Sequence, residues 1–204
     1  WGPLQAYLEK LGADVRTEAR VRTLTPVDGH FWQVEVDAAP SLRTRHLVLA
    51  TDPGALKKIM AASPDAAPAA PLLARKAAAI QVAPPFAVTR LWLDRDVAPE
   101  RPVFSAVSRE PTLDSITVYS RLERPSAEWA ARTGGSVVEL HSYACDAPDV
   151  DTATARMRAE LAALWPETVD AQVVHLQQRM EATAPTWPPG SAGTRPRVTG
   201  EARG

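Results

Sequence analysis

The sequence predicts an α+β fold, and three observations carry that prediction. Helix-type and strand-type patterns intermix along the chain, the strand candidates come as hairpin-like runs early and as a second group later, and 45% of the 204 residues are hydrophobic, enough to bury a core. The elements follow in order. Pro3 suits a helix start, Leu4, Tyr7, Leu8 and Leu11 recur at helical spacing, and Gly12 supplies a stop. Asp14–Arg16 and Val21–Leu24 read as extended runs, and Asp28-Gly29 is a turn signal ahead of the alternating strand Phe31–Val36. His46–Ala50 is a continuous apolar run, the pattern of a strand covered on both faces. Thr51-Asp52-Pro53-Gly54 breaks it, and helices are predicted over 55–60 and 72–80, ended by Pro84-Pro85.

The second half repeats the alternation more strongly. Phe86–Leu93 puts Phe86, Val88, Arg90 and Trp92 on one side and Ala87, Thr89, Leu91 and Leu93 on the other. Short strands are predicted at 103–107 and 116–119, and a helical turn or two at 128–132. Gly134-Gly135 turns the chain into a strand over 136–143. A helix over 150–165 shows Met157, Leu161 and Leu164 on its apolar face, and a strand over 172–180 closes the ordered part. Trp1 is not an initiator methionine, and 183–204 is rich in Pro, Gly, Ala and Arg, so the chain reads as an internal piece of a longer protein.

Charge and motifs exclude more than they identify. Twenty-three basic residues against 24 acidic leave a net charge of −1, without the basic excess of a nucleic-acid binder. One cysteine, Cys145, excludes an internal disulfide and a multi-cysteine zinc site. Neither G-x-G-x-x-G nor G-x-x-x-x-G-K-[ST] occurs, and no run reaches the length of a membrane span. His141, Tyr143 and Cys145 would share one strand face and splay along it, which suits structure better than metal binding. Asp94 and Asp96 flank Arg95 after a strand and read as solvated or salt-bridged. The six tryptophans read as core packing rather than as base-stacking platforms.

The order of elements in the first sixty residues carries a resemblance. A helix ends in Leu11-Gly12. Asp14-Val15-Arg16, the strand Val21-Arg22-Thr23-Leu24, a hairpin strand Trp32–Val36 and His46–Asp52 follow. This resembles the central portion of flavin-dependent oxidoreductases of the amine oxidase and phytoene desaturase superfamily. The segments Pro85–Arg95, Leu113–Ile116 and Trp129–His141 are narrower in their likeness. They resemble the bacterial carotenoid branch, the isorenieratene-synthase-type desaturases.

The resemblance implies FAD as cofactor. It divides the chain into the β-meander piece of a FAD-binding, glutathione-reductase-like domain (1–60), a substrate domain with a mixed or antiparallel sheet and helices (61–182), and a loop leading toward a further FAD motif (183–204). On it, Val21 faces the adenine side through main-chain groups or packs as an ordinary meander residue. Ala50, Thr51 and Asp52 end the returning strand where the backbone passes the dinucleotide or simply packs. Phe86, Val88, Arg90 and Trp92 wall a polyene-sized tunnel or are plain core. It names no catalytic acid or base, because desaturation leans on hydride transfer to the cofactor. The full-length parent is then a bacterial, cytoplasmic FAD-dependent desaturase acting on a lipophilic isoprenoid, with peripheral membrane contact and no nucleic-acid partner. In the isorenieratene type, a methyl shift aromatises the end ring. This chain alone is expected neither to hold FAD tightly nor to turn over. A flavin amine oxidase, a squalene-type dehydrogenase and a non-catalytic α+β binding module are the alternatives.

Overall fold

Asp28 and Gly29 take left-handed backbone (φ 51 and 69), which turns β1 (Val21–Val27) back onto β2 (Phe31–Val36). β2 then pairs with β3 (Leu42–Thr44), so a three-stranded antiparallel meander forms in the order β1-β2-β3. These coordinates, a computed structural model, describe residues 1–194. The chain divides into two units, one of Trp1–Gln81 with the segment from Pro185, the other of Val82–Ala184.

In the first unit, α1 (Gly2–Lys10) carries Pro3 in its first turn, near the expected start, and buries none of its residues. The core is Leu24, Val34, Ile59 and Ala66, flanked by half-buried Val21, Trp32, Val36, Leu47, Leu49 and Met60. α2 (Pro53–Ala61) is capped by Asp52, whose Oδ1 accepts from Ala55 N at 2.8 Å. Buried Ser63 ties the end of α2 to the meander: its hydroxyl donates to Ile59 O at 2.7 Å and accepts from Leu24 N at 2.8 Å. α3 (Ala66–Ala69) and α4 (Pro71–Ala79) follow, and both pack within this unit. The division expected after residue 60 therefore falls inside the first unit, which extends to Gln81. Two short strands, β4 (Gln81–Val82) and β10 (Pro185–Thr186), make a ladder of their own.

Two expected strands are absent. Asp14–Arg16 is irregular, with Arg16 bonded back onto Asp14 instead of into a ladder. His46–Ala50 also lacks a ladder. Leu47 and Leu49 rest against the Leu24 core while Val48 stands 86% exposed. An apolar run becomes a strand only when another strand takes its N–H and C=O groups, and none among the described residues does.

The second unit is one five-stranded antiparallel sheet in the order β6-β7-β8-β5-β9, formed by β5 (Phe86–Leu93), β6 (Phe104–Ala106), β7 (Ser115–Val118), β8 (Ser136–Ser142) and β9 (Val173–Glu181). α6 (Val150–Leu164), capped by Asp149 at 2.7 Å from Thr152 N, covers one face. Leu91, Leu93, Val138 and Leu140 meet Ala153, Met157 and Leu161 there, and the Thr89 and Thr154 hydroxyls bond each other at 2.6 Å inside that layer. A 3₁₀ turn (Tyr119–Arg121) and α5 (Arg124–Thr133) pack against β8. Of the tryptophans, Trp165 is core at 5% exposure, Trp1 stands in solvent at 98%, and Trp32, Trp92 and Trp129 are half-buried, so core packing describes only part of the set. No helix among the described residues is long and apolar enough to cross a membrane.

Gly134 ends α5 in left-handed backbone (φ 73), and Gly135 then passes the carbonyl of Leu93 so closely that an added Cβ would sit 2.2 Å from that oxygen. Because the obstacle is main chain in β5, Gly135→Ala is expected to destabilise the protein by about 3 kcal/mol or more, read as a fall in the urea midpoint.

Candidate functional site

β5 is hydrogen-bonded along both edges, so the side chains on its outer face have neighbours on either hand. Its partners on β8 are His141 opposite Val88, Glu139 opposite Arg90 and Val137 opposite Trp92. On β9 they are Arg179, Gln177 and His175 in the same order. Directly opposed residues share a face. The side of the sheet away from α6 is thereby lined by Val88, Arg90, Trp92, Glu139, His141 and Gln177, with Thr117 and Ser115 continuing it onto β7. Within it lies an open cavity of about 260 Å³ bordered by Val88, Arg90, Glu139, Gln177, Gln178 and Arg179. Ser115, opposite His141, keeps a buried hydroxyl without a hydrogen-bond partner among the described residues.

The polar groups on this face are connected. Glu139, 7% exposed, accepts from Arg90 Nε at 2.8 Å on one oxygen and lies 2.8 Å from His141 Nε2 on the other. Arg90 also donates to Glu123 at 3.1 Å, and Ser126 donates to the same Glu123 oxygen at 2.7 Å. The Arg90 guanidinium stacks 3.8 Å over the ring of Tyr119. His141 Nδ1 is 2.8 Å from the Tyr143 hydroxyl. Trp92 meets His175 edge-on at 4.7 Å. Burial pushes the Glu139 carboxyl up, but hydrogen bonds from His141 and Arg90, the charge of Arg90 and the phenol of Tyr119 outweigh it and hold it at about 2. Burial, then the charge of Glu139, raises Tyr119. The group at the centre is a permanent carboxylate at neutral pH. It serves hydrogen bonds and charge, not proton donation.

The four residues expected to bind substrate do share one face, but that face is not a purely apolar wall: Arg90 sits in its middle with an ion pair. Glu139, His141, Tyr119, Glu123 and Gln177 were not singled out as binding residues from the sequence. The signal for Glu139 and His141 was the alternation of β8 itself, which needed the register with β5 to become a site. Cys145 lies beyond β8, buried, its N–H donating to Pro85 O at 2.7 Å, apart from His141's network. Asp94 accepts from Gln172 N and Arg95, and Asp96 meets Arg121 at 3.6 Å, the salt-bridged arrangement expected.

The residues expected to face a cofactor belong to the first unit. Val21 opens β1 and borders a cavity of about 340 Å³ with Asp14, Arg16, Ala19, Val34, Val36 and Leu42. An apolar floor with a charged rim fits the face of a flat heteroaromatic ring. Ala50 and Thr51 are exposed and unladdered, and the Asp52 carboxylate is spent on capping α2.

Residues 1–197 match the family of flavin containing amine oxidoreductases, and the chain belongs to that family. Within it the chain is 40% identical over 200 residues to carotenoid phi-ring synthase of Streptomyces griseus, covering 97% of this chain and 38% of that protein. It is 41% identical over 128 residues to carotenoid phi-ring synthase of Chlorobaculum tepidum, covering 61% and 20%. The chain thus spans about 38% of the longer match. In fold it is similar to an oxidoreductase from Methanosarcina mazei, with a TM-score of 0.59, 13% identity, and 87% and 40% of the two chains covered.

A carboxyl held below its ordinary 4.5 stabilises the native state above that value and loses the contribution as pH falls toward about 2. Stability is therefore expected to drop through that window in urea titrations at stepped pH. Glu139→Gln removes part of the drop. Glu167, held at about 2 chiefly by its bidentate bond from Arg101, retains its share.

Proposed function

We propose that the complete protein containing this chain is an FAD-dependent oxidoreductase that desaturates a lipophilic isoprenoid, a carotenoid, in the manner of an isorenieratene synthase. The 40% identity to a carotenoid phi-ring synthase across nearly the whole chain carries this reading. The first unit supplies part of the FAD-binding domain, with Val21 and the strand-end residues Ala50, Thr51 and Asp52 on the cofactor side. The second unit supplies the substrate domain, with Phe86, Val88, Arg90 and Trp92 on the substrate side. FAD supplies hydride acceptance when bound. The chain's own contribution is to position a long apolar substrate against Val88 and Trp92 and to hold charge beside it. The site is bacterial and cytoplasmic, with peripheral contact to the membrane that holds the substrate.

The charge on the sheet face favours this reading over an amine substrate. An ammonium group needs a free aromatic or anionic receptor, whereas this face presents Arg90 and Arg179, the Tyr119 ring already carries Arg90, Trp92 meets His175, and the carboxylate Glu139 is engaged by Arg90 and His141.

The test is the complete reading frame purified with FAD and offered β-carotene in detergent micelles. Carotenoid products lighter by pairs of hydrogens, with end-ring aromatisation seen in the mass and absorption spectra, are expected, and putrescine is expected to be left unchanged. Peroxide formed from the amine, with β-carotene untouched, would replace this reading with the amine oxidase. This chain expressed alone is expected to purify without stoichiometric flavin absorbance.

A further inference from the structure

We propose that Glu139, His141 and Tyr143 form a proton relay whose outer hydroxyl, that of Tyr143, accepts the proton released when the substrate is dehydrogenated. The assignment of substrate rests on the carotenoid-desaturase reading above; the relay itself rests on the geometry of one strand end.

Alternation along β8 puts Glu139 and His141 on the same face, and Tyr143 follows just past the last strand residue. Glu139 is buried and both its oxygens are engaged, one by Arg90 Nε and the other by His141 Nε2 at 2.8 Å. A carboxylate only accepts. In the neutral imidazole the proton then sits on Nε2, which leaves the Nδ1 lone pair facing the Tyr143 hydroxyl at 2.8 Å. The Tyr143 O–H donates to it. The two rings stand nearly perpendicular, 83° apart with centroids at 5.7 Å, so the hydroxyl meets the imidazole at its edge.

The outer member is held but open. Tyr143 N donates to Asp114 Oδ2 at 2.6 Å, and Asp114 N donates to His141 O at 2.8 Å, which pins the chain on both sides of the relay. Tyr143 itself is 56% exposed. Buried carboxylate, oriented imidazole and accessible hydroxyl make the same order of parts that activates hydroxyl groups in acyl-transfer triads.

Forming a carbon–carbon double bond removes a hydride from one carbon and a proton from its neighbour. FAD, when bound, would supply the acceptor for the hydride and its electron pair. At the neighbouring carbon the C–H bond breaks and its electron pair becomes the new π bond. The proton forms an O–H bond at Tyr143 as the original phenolic proton passes to His141 Nδ1. The imidazolium so formed is paired with the Glu139 carboxylate, which stays ionised. Tyr143 is the catalytic residue; His141 and Glu139 position and charge it.

Two measurements on the complete flavin-loaded protein decide the matter. ¹⁵N NMR of the histidine side chains at neutral pH is expected to show His141 protonated on Nε2 and bare on Nδ1, and Glu139→Gln is expected to mix the tautomers. Tyr143→Phe keeps the ring and the Asp114 bond, so the fold is retained. It is expected to lower kcat on the carotenoid about 100-fold with KM unchanged, and Tyr143→Phe with His141→Ala is expected to be no slower than either change alone. A Tyr143→Phe enzyme turning over at the wild-type rate, or a proton found on Nδ1, overturns the relay. Wild-type protein that leaves the carotenoid unchanged overturns the substrate reading instead, and the NMR result then still decides whether the relay is built as described.

Discussion

Everything on the polar face depends on β5 being bonded along both of its edges. With β8 on one side and β9 on the other, a slip of one residue would turn Arg90 into the α6 layer and Leu91 into water. The apolar set Ala87, Leu91 and Leu93 against Met157 and Leu161 opposes that slip. Arg90 is thereby held opposite Glu139 by packing on the far side of the sheet. The ion pair is a consequence of the register before it is a contributor to stability. The close passage of Gly135 under the Leu93 carbonyl lies at the same end of β5, where β8 begins.

The sequence shows local order well and partnership poorly. The alternation of Phe86–Leu93, the apolar stripe of the 150–164 helix and the turn at Asp28-Gly29 are each local patterns, and each appears in the structure close to its expected place. The four residues placed on one face of β5 share it. What could not be read was the partner: Glu139 lies 49 residues from Arg90, and nothing in either segment names the other. Without that pairing the face looked like an apolar tunnel wall interrupted by one arginine. With it, the arginine becomes the centre of a network that reaches Glu123 and Ser126 on one side and Tyr143 on the other. The resemblance named no catalytic acid or base, because desaturation leans on hydride transfer to the cofactor, and the residues of the proposed relay come together only through the register and the turn after β8.

His46–Ala50 shows the same limit from the opposite direction. Its composition is that of a covered strand, yet composition supplies only the apolar surface. A ladder must come from neighbouring main chain. The segment lies beside the Leu24 core without a ladder, with Leu47 and Leu49 packed against it and Val48 exposed. Hydrophobic pattern therefore located an apolar segment, but neither the strand nor the cover on both faces that it predicted is formed: Leu47 and Leu49 alone reach the core and Val48 stands in solvent. The meander differs because its strands find one another within twenty-four residues, through a three-residue turn and a short loop.

The cost of the polar network bears on its purpose. Taking two charges out of water is expensive, and replacing a buried ion pair with well-packed apolar groups is often neutral or stabilising. A sheet face meant only to hold a long hydrocarbon would therefore be served better by leucine and valine at the positions of Arg90 and Glu139. Here the carboxylate is buried, both its oxygens are occupied, and its partner imidazole leads outward to an accessible hydroxyl. The depressed Glu139 carboxyl lends the native state stability at neutral pH, and the same order of groups is the one the proposed proton relay requires. The carboxylate must be desolvated for its charge to act strongly on the imidazole. Arg90 must be present to keep it ionised at that depth. The hydroxyl must stay in reach of whatever the face binds. Each of the three conditions is met by a different neighbour of β8: the 3₁₀ turn whose Tyr119 phenol reaches Glu139 supplies cover, β5 supplies the arginine, and the Asp114 turn before β7 holds the tyrosine.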